Sequence, residues 1–233
     1  MRSAILILAL GLAFTARAAD RVFESGPQRT HLLELFTSEG CSSCPPAEAW
    51  LSKLKAEPRL WKDFVPLAFH VDYWDRLGWR DLFAAKEWTA RQYQYSANWK
   101  SGSVYTPGFV LDGREWQDRS VPTSANEKPG VLKVSITNQQ IVAAFVPIES
   151  GTRNVDLHVA SLGFDLTTRV TAGENNGRSL RQDFVVLSLL KQKMSERKAE
   201  SAFNPDPRAG AIAAWITAAN QVEPIQAVGG WLH

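Results

Sequence analysis

Cysteine is almost absent from this chain. Its 233 residues hold two, Cys41 and Cys44, and only four histidines, His31, His70, His158 and His233. A structural zinc takes four nitrogen or sulfur ligands, and one C-x-x-C with no second clustered pair does not supply them, so no cofactor and no zinc centre is expected. An excess of charge is missing too: 26 Lys and Arg stand against 24 Asp and Glu, for a formal charge of +2. Nucleic-acid binding asks for a clustered basic face, and no such partner is expected. Past the first residues, no apolar run approaches the ~20 residues that cross a bilayer as a helix. The chain also lacks internal repeats and low-complexity tracts.

What remains is ordinary globular composition, 45% hydrophobic and 21% charged, enough for one large or two small domains. The opening "MRSAILILALGLAFTARA" places Arg2 before an apolar run from Ala4 to Phe14 and an Ala16-Arg17-Ala18 end. A basic start, a short apolar centre and Ala-x-Ala predict a signal peptide over residues 1–18. No cysteine follows the run, which excludes the lipoprotein version. Its removal takes away Arg2 and Arg17 and no acid, so the remainder has no formal charge. The expected location is exported, a bacterial periplasm or the exterior, where disulfides persist.

Residues 30–37, "THLLELFT", read as a buried strand running into the cysteine pair. Residues 45–55 read as a helix whose first turn tolerates Pro45 and Pro46, because a missing N–H is no loss there. Residues 64–74 form a second strand ending in a polar, aromatic loop. Residues 80–99 form a second helix with Leu82, Phe83, Trp88, Tyr95 and Trp99 facing inward. A third strand spans 106–116, with Asp112-Gly113 as a hairpin turn and Arg114 to Gln117 as a fourth strand. Residues 118–130 gather Pro, Ser, Asn and Gly, the composition of a linker. Thereafter "VLKVSIT" and "IVAAFVPI" flank Asn138-Gln139-Gln140 as a hairpin, and short strands follow at close intervals, with "AIAAWITAA" readable as strand or short helix. This texture predicts a small β-sandwich.

The chemistry centres on "TSEGCSSCPPAEAW", residues 37–50. A thiol between a strand and a helix start meets unpaired N–H groups and the positive end of the helix dipole, which stabilise a thiolate. In this reading Cys41, the outward sulfur, attacks, and Cys44, one turn inward, resolves the mixed disulfide. A structural staple is a weaker reading, because a cross-link stabilises less as the loop it closes shortens. An inert disulfide, or a copper(I) site using both thiolates with His70, stays open beside the redox dithiol.

The strand–dithiol–helix order followed by "VPLAFHVD", a helix and "YTPGFVLDGR" resembles the thioredoxin fold. More narrowly, "LFTSEGCSSCPPAE", "HVDYWDRLGW", "YTPGFVLDGR" and "AVGGWL" resemble the DUF1223 family of exported thioredoxin-like proteins. The resemblance implies thiol–disulfide exchange with a protein or small-thiol disulfide as substrate, and a cis peptide at Thr106-Pro107 shaping a groove for an extended chain. It also implies a buried acid behind the dithiol. Glu34 is near that place, about one residue out of register; an exposed or edge glutamate is the alternative. Glu39, close to Cys41 in sequence, would oppose thiolate formation, and Ser42 and Ser43 offer hydroxyls to it.

"HVDYWDRLGW" reads as a capped strand end with tryptophan packing or a substrate-contacting loop, and "AGENNGRSL", 172–180, as turn chemistry or an interaction loop. The terminal helix of a thioredoxin has no counterpart in 117–130. The expected architecture is an α/β thioredoxin-like domain over 19–120 followed by an all-β, sandwich-like domain over 131–233 that covers the exposed sheet. The expected function is an exported thiol–disulfide oxidoreductase of undefined direction, or else a binding module with a permanently oxidised disulfide.

Overall fold

The structure, a computed structural model, describes residues 21–118, 120–137, 139–149 and 154–232. The expected signal peptide, residues 1–18, and Asn138 of the expected hairpin turn lie outside the described residues.

In chain order, β1 is Arg21–Glu24 and β2 is His31–Thr37, and α1 spans Pro45–Lys53. β3 is Phe64–His70, α2 is Lys86–Trp99, β4 is Gly108–Leu111 and β5 is Arg114–Glu115. The rest is strand: β6 Gly130–Thr137, β7 Gln140–Pro147, β8 Val155–Gly163, β9 Leu166–Arg169, β10 Ser179–Gln182, β11 Val185–Met194, β12 Lys198–Ala202, β13 Ala209–Ala218 and β14 Pro224–Trp231. Short 3-10 turns follow α1 at Leu54–Ala56 and β3 at Asp75–Leu77. "AIAAWITAA" is strand, within β13.

Helix α1 starts where its prolines allow. Pro45 and Pro46 occupy the first two positions, and the N–H groups of Ala47 and Glu48 donate to the Cys44 carbonyl at 2.9 and 3.1 Å. Helix α2 begins six residues later than its composition predicts. Asp81 accepts the Phe83 N–H at 2.8 Å, and the Ala85 N–H is taken by the His70 carbonyl at 3.2 Å. Such side-chain and strand-end bonds compete with helix formation, and they leave Leu82, an expected inward residue, 71% exposed.

The expected fold class is corrected. Among the described residues the structure is mostly sheet, with 45% strand, 14% helix and two α-helices, arranged in several sheets. An eight-stranded sheet in the order β14-β13-β8-β11-β3-β2-β4-β5 takes strands from both halves of the chain. β3 is the hinge of this mixture: it lies parallel to β2 along its whole length and parallel to β11 at Ala68↔Val185, while β11 runs antiparallel to β8. A buried strand edge needs partners for its N–H and C=O groups, and the second half of the chain supplies them to β3. It therefore extends the first sheet rather than forming a sandwich of its own. A four-stranded sheet, β1-β6-β7-β12, again mixes the two ends of the sequence, and β10-β9 forms a separate hairpin.

Among the described residues, three apolar clusters form the core. One lies between the four-stranded sheet and the β8, β13, β14 end of the large sheet, with Phe23, Leu132, Phe145, Leu157 and Ile212. The second lies under α2, where Leu32, Phe36 and Phe69 meet Trp88, Tyr95 and Trp215. The third lies under α1, where Leu33, Leu35 and Phe109 meet Ala47, Leu51 and Leu54. The alternation of β2 side chains, even to α2 and odd to α1, is the period of a strand buried on both faces.

Candidate functional site

Cys41 and Cys44 are joined in a disulfide with Cα atoms 5.4 Å apart. They sit between the end of β2, buried from Leu32 to Thr37, and the start of α1, and Cys44 is the N-cap residue of α1 with no side-chain cap bond. Both are fully buried, so the outward placement expected for the Cys41 sulfur is not what the oxidised protein has. Ser43 Oγ lies 3.3 Å from Cys41 Sγ.

A single indole connects the dithiol loop to the proline loop. An added Cβ on Gly40 would lie 3.0 Å from Trp74 Cβ, tighter than an ordinary contact, so a larger residue there would push Trp74 aside. The same Trp74 donates its Nε1–H to Thr106 Oγ1 at 2.8 Å. The Thr106-Pro107 peptide is cis and leads into β4, which pairs with β2 from Phe36↔Gly108 to Leu33↔Leu111. Cys41, Cys44, Thr106 and Pro107 are thus carried by adjoining segments.

Glu34 is elsewhere. It is completely buried on the α2 face of β2, receives the Arg91 Nε–H at 2.6 Å and is bonded by the Tyr95 hydroxyl. Arg91 in turn lies over the Trp215 ring, 5.2 Å from its centroid. The Glu34 charge holds the Arg91 guanidinium pKa above its ordinary value against the cost of burial. Leu33 and Leu35, with the opposite parity, are the β2 residues that meet α1.

The acids near the dithiol are others. Glu48 lies one turn after Cys44, and side chains on a helix lean toward its N-terminus over the residue four earlier. Its carboxylate accepts Thr37 Oγ1–H at 2.6 Å and Gln182 Nε2–H at 3.1 Å, and burial pushes its pKa up. Glu39, fully buried, accepts the Trp79 Nε1–H at 2.9 Å; burial first, and the Asp81 charge second, push it up. Asp81 accepts the Glu39 backbone N–H and faces His70 Nδ1, each at 2.7 Å. Burial disfavours charge on this pair, but each partner more than offsets it for the other, so His70 is raised and Asp81 lowered. His70 Nε2 and Glu39 Oε1 are buried with no hydrogen-bond partner among the described residues. Among these residues no three His, Cys, Asp or Glu side chains gather as metal ligands.

The turn 173–178 between β9 and β10 also reaches the site. Asn175, completely buried, donates its amide N–H groups to the carbonyls of Glu39 at 2.8 Å and Cys41 at 3.0 Å. Glu174 accepts the Ser42 backbone N–H at 3.0 Å, and hydrogen bonding from the Ser42 side chain first and its backbone second holds its carboxyl below the usual range. Sequence reasoning passed over Glu48, Asp81 and Asn175. For Glu48 the signal was its spacing of four from Cys44; for Asn175, 134 residues from Cys41, no local signal exists.

The fold and site together define a mixed-sheet protein whose short buried disulfide caps a helix. The chain matches the family described as "Protein of unknown function (DUF1223)" over residues 32–219, and it belongs to that family. No curated protein matches it. Among solved structures it is similar to a crystal structure of a protein from Agrobacterium tumefaciens, with 24% identity and a TM-score of 0.67, covering 88% of this chain and 96% of that one. It is also similar to HBP35 of Porphyromonas gingivalis, with 14% identity and a TM-score of 0.57, covering 89% of this chain and 76% of that one. Both likenesses concern the fold. No helix among the described residues is long and apolar enough to cross a membrane, and the disulfide fits an oxidising environment.

Proposed function

We propose that this protein is an exported thiol–disulfide oxidoreductase whose working group is the Cys41–Cys44 dithiol. The observation that carries the reading is the seat of the disulfide, closed across three residues with Cys44 capping α1. A bridge that short contributes little as a staple, whereas the positive end of the helix dipole at the start of α1 favours the thiolate that exchange requires. The Cys41 thiolate attacks a disulfide of a protein or small thiol, forming a mixed disulfide and releasing one substrate thiolate; the Cys44 thiolate then attacks Cys41, closing Cys41–Cys44 and releasing the second, so the protein's two thiols are oxidised and the substrate's disulfide is reduced, or the reverse. Thr106 and Pro107, tied to the dithiol loop through Trp74, shape the approach of the substrate chain. The kinship with thioredoxins belongs to this proposal: it rests on the local sequence of strand, dithiol, helix and proline loop, not on the architecture of the whole chain. Export, too, is part of the reading, supported by the leader-like sequence and the disulfide.

The burial of both sulfurs favours a second reading, a binding protein in which the disulfide stays closed. Cys44→Ser separates the two. An exchange protein leaves Cys41 in mixed disulfides with its substrates, resolved by reducing agent; a binding protein leaves Cys41 free.

A further inference from the structure

The 173–178 turn lies across the dithiol loop and bonds to its backbone. Asn175 is completely buried and spends both amide N–H groups on the carbonyls of Glu39 and Cys41, while its Oδ1 accepts the Arg178 Nη1–H at 2.7 Å. Glu174 takes the Ser42 N–H between the two cysteines. Gly173, at φ +71°, allows the turn to close onto Trp79, whose Cβ is 3.3 Å from where a side chain would begin. The hairpin is anchored beyond the turn by Gln182 on Glu48 of α1. Both sulfurs are inaccessible, yet exchange needs a thiolate in line with the S–S bond.

We propose that the 173–178 turn is a strap that controls which thiols and disulfides reach Cys41, with Glu174 and Asn175 as its specificity-determining residues. This rests on the exchange reading above and adds its gate. The strap must lift before a sulfur is attacked. None of its bonds reaches a sulfur, so it closes over the oxidised and the reduced pair alike and slows exchange equally in both directions. A bulky thiol needs a wider opening than a small one, so the strap discriminates by size.

The test uses the full chain with dithiothreitol and glutathione as probes. In reduction by dithiothreitol one reagent thiolate bonds to a protein sulfur as the Cys41–Cys44 bond breaks. The second reagent thiolate then closes a cyclic disulfide; the reagent loses two thiol hydrogens and the protein gains two. Asn175→Ala is expected to speed both reduction and reoxidation by oxidised dithiothreitol about ten-fold, the factor that one net hydrogen bond of ordinary strength represents. Their ratio, and with it the reduction potential, stays constant, and the gain is larger for glutathione. Glu174→Ala, an exposed change that removes only the Ser42 contact, gives a smaller gain in the same pattern and carries the test if Asn175→Ala does not fold. Unchanged rates in the folded variants, or acceleration in one direction only, overturn the proposal. Because dithiothreitol reduces any disulfide it can reach, the result is independent of whether Cys44→Ser captures a substrate.

Discussion

Glu34 and Arg91 are 57 residues apart in sequence and share a hydrogen-bonded ion pair of 2.6 Å inside the core, on the face of β2 turned away from α1. The relationship explains why a carboxylate interrupts an otherwise apolar strand: it neutralises a guanidinium that α2 buries against Trp215. Removing one partner of a buried pair leaves an uncompensated charge and costs about 3–5 kcal/mol. Glu34→Gln is therefore expected to destabilise the protein by about that amount in urea unfolding while the rate of disulfide reduction at native conditions is unchanged. Slower exchange with intact stability would return Glu34 to the dithiol.

The His70–Asp81 pair gives the site a pH signature. The folded pKa of His70 is raised, so its contribution to stability is complete below the ordinary histidine value of about 6.5 and is lost as pH rises through the raised value. Glu39 and Glu48, also raised, act in the same direction from their lower starting point, while Asp81, lowered, adds stability that is lost only in acid. The urea midpoint should fall between pH 6 and pH 9 with m unchanged. Asp81→Asn should lower stability by about 3 kcal/mol and remove the His70 part of the slope; a slope that survives it would place the titration elsewhere.

Much of this site was legible from the chain itself. The buried strand, the dithiol at a helix start and the turn at Asp112-Gly113 all follow from local chemistry: apolar runs, N–H-less prolines at a first helical turn, and residues that tolerate positive φ. What escaped sequence reasoning is pairing. Nothing within β3 says that its second edge is taken by Val185, 117 residues on from Ala68. Likewise a turn reading as simple Gly-Asn chemistry gives no sign that Asn175 is bonded to the Cys41 carbonyl. The parity of Glu34 was within reach, since Leu33 and Leu35 share a face that Glu34 cannot, and so was the spacing of four between Cys44 and Glu48.

The "AVGGWL" segment is a second place where residue type follows from a distant contact. In β14 an added Cβ on Gly230 would meet the Phe23 ring at 2.7 Å, and one on Gly229 would meet Trp61 at 2.5 Å. Gly230→Ala is expected to cost about 1–3 kcal/mol through overpacking and to leave the reduction potential of Cys41–Cys44 where it was. Equal stability by thermal or urea unfolding would show that Phe23 yields without cost.

The reduction potential of the Cys41–Cys44 couple, measured by equilibration with glutathione buffers, tests the central claim most directly. An exchange dithiol reaches equilibrium reversibly and gives a midpoint between roughly −270 mV, where reductants lie, and roughly −120 mV, where oxidants lie. A disulfide that stays closed in every glutathione buffer, with a potential below about −300 mV as structural bridges have, would contradict it.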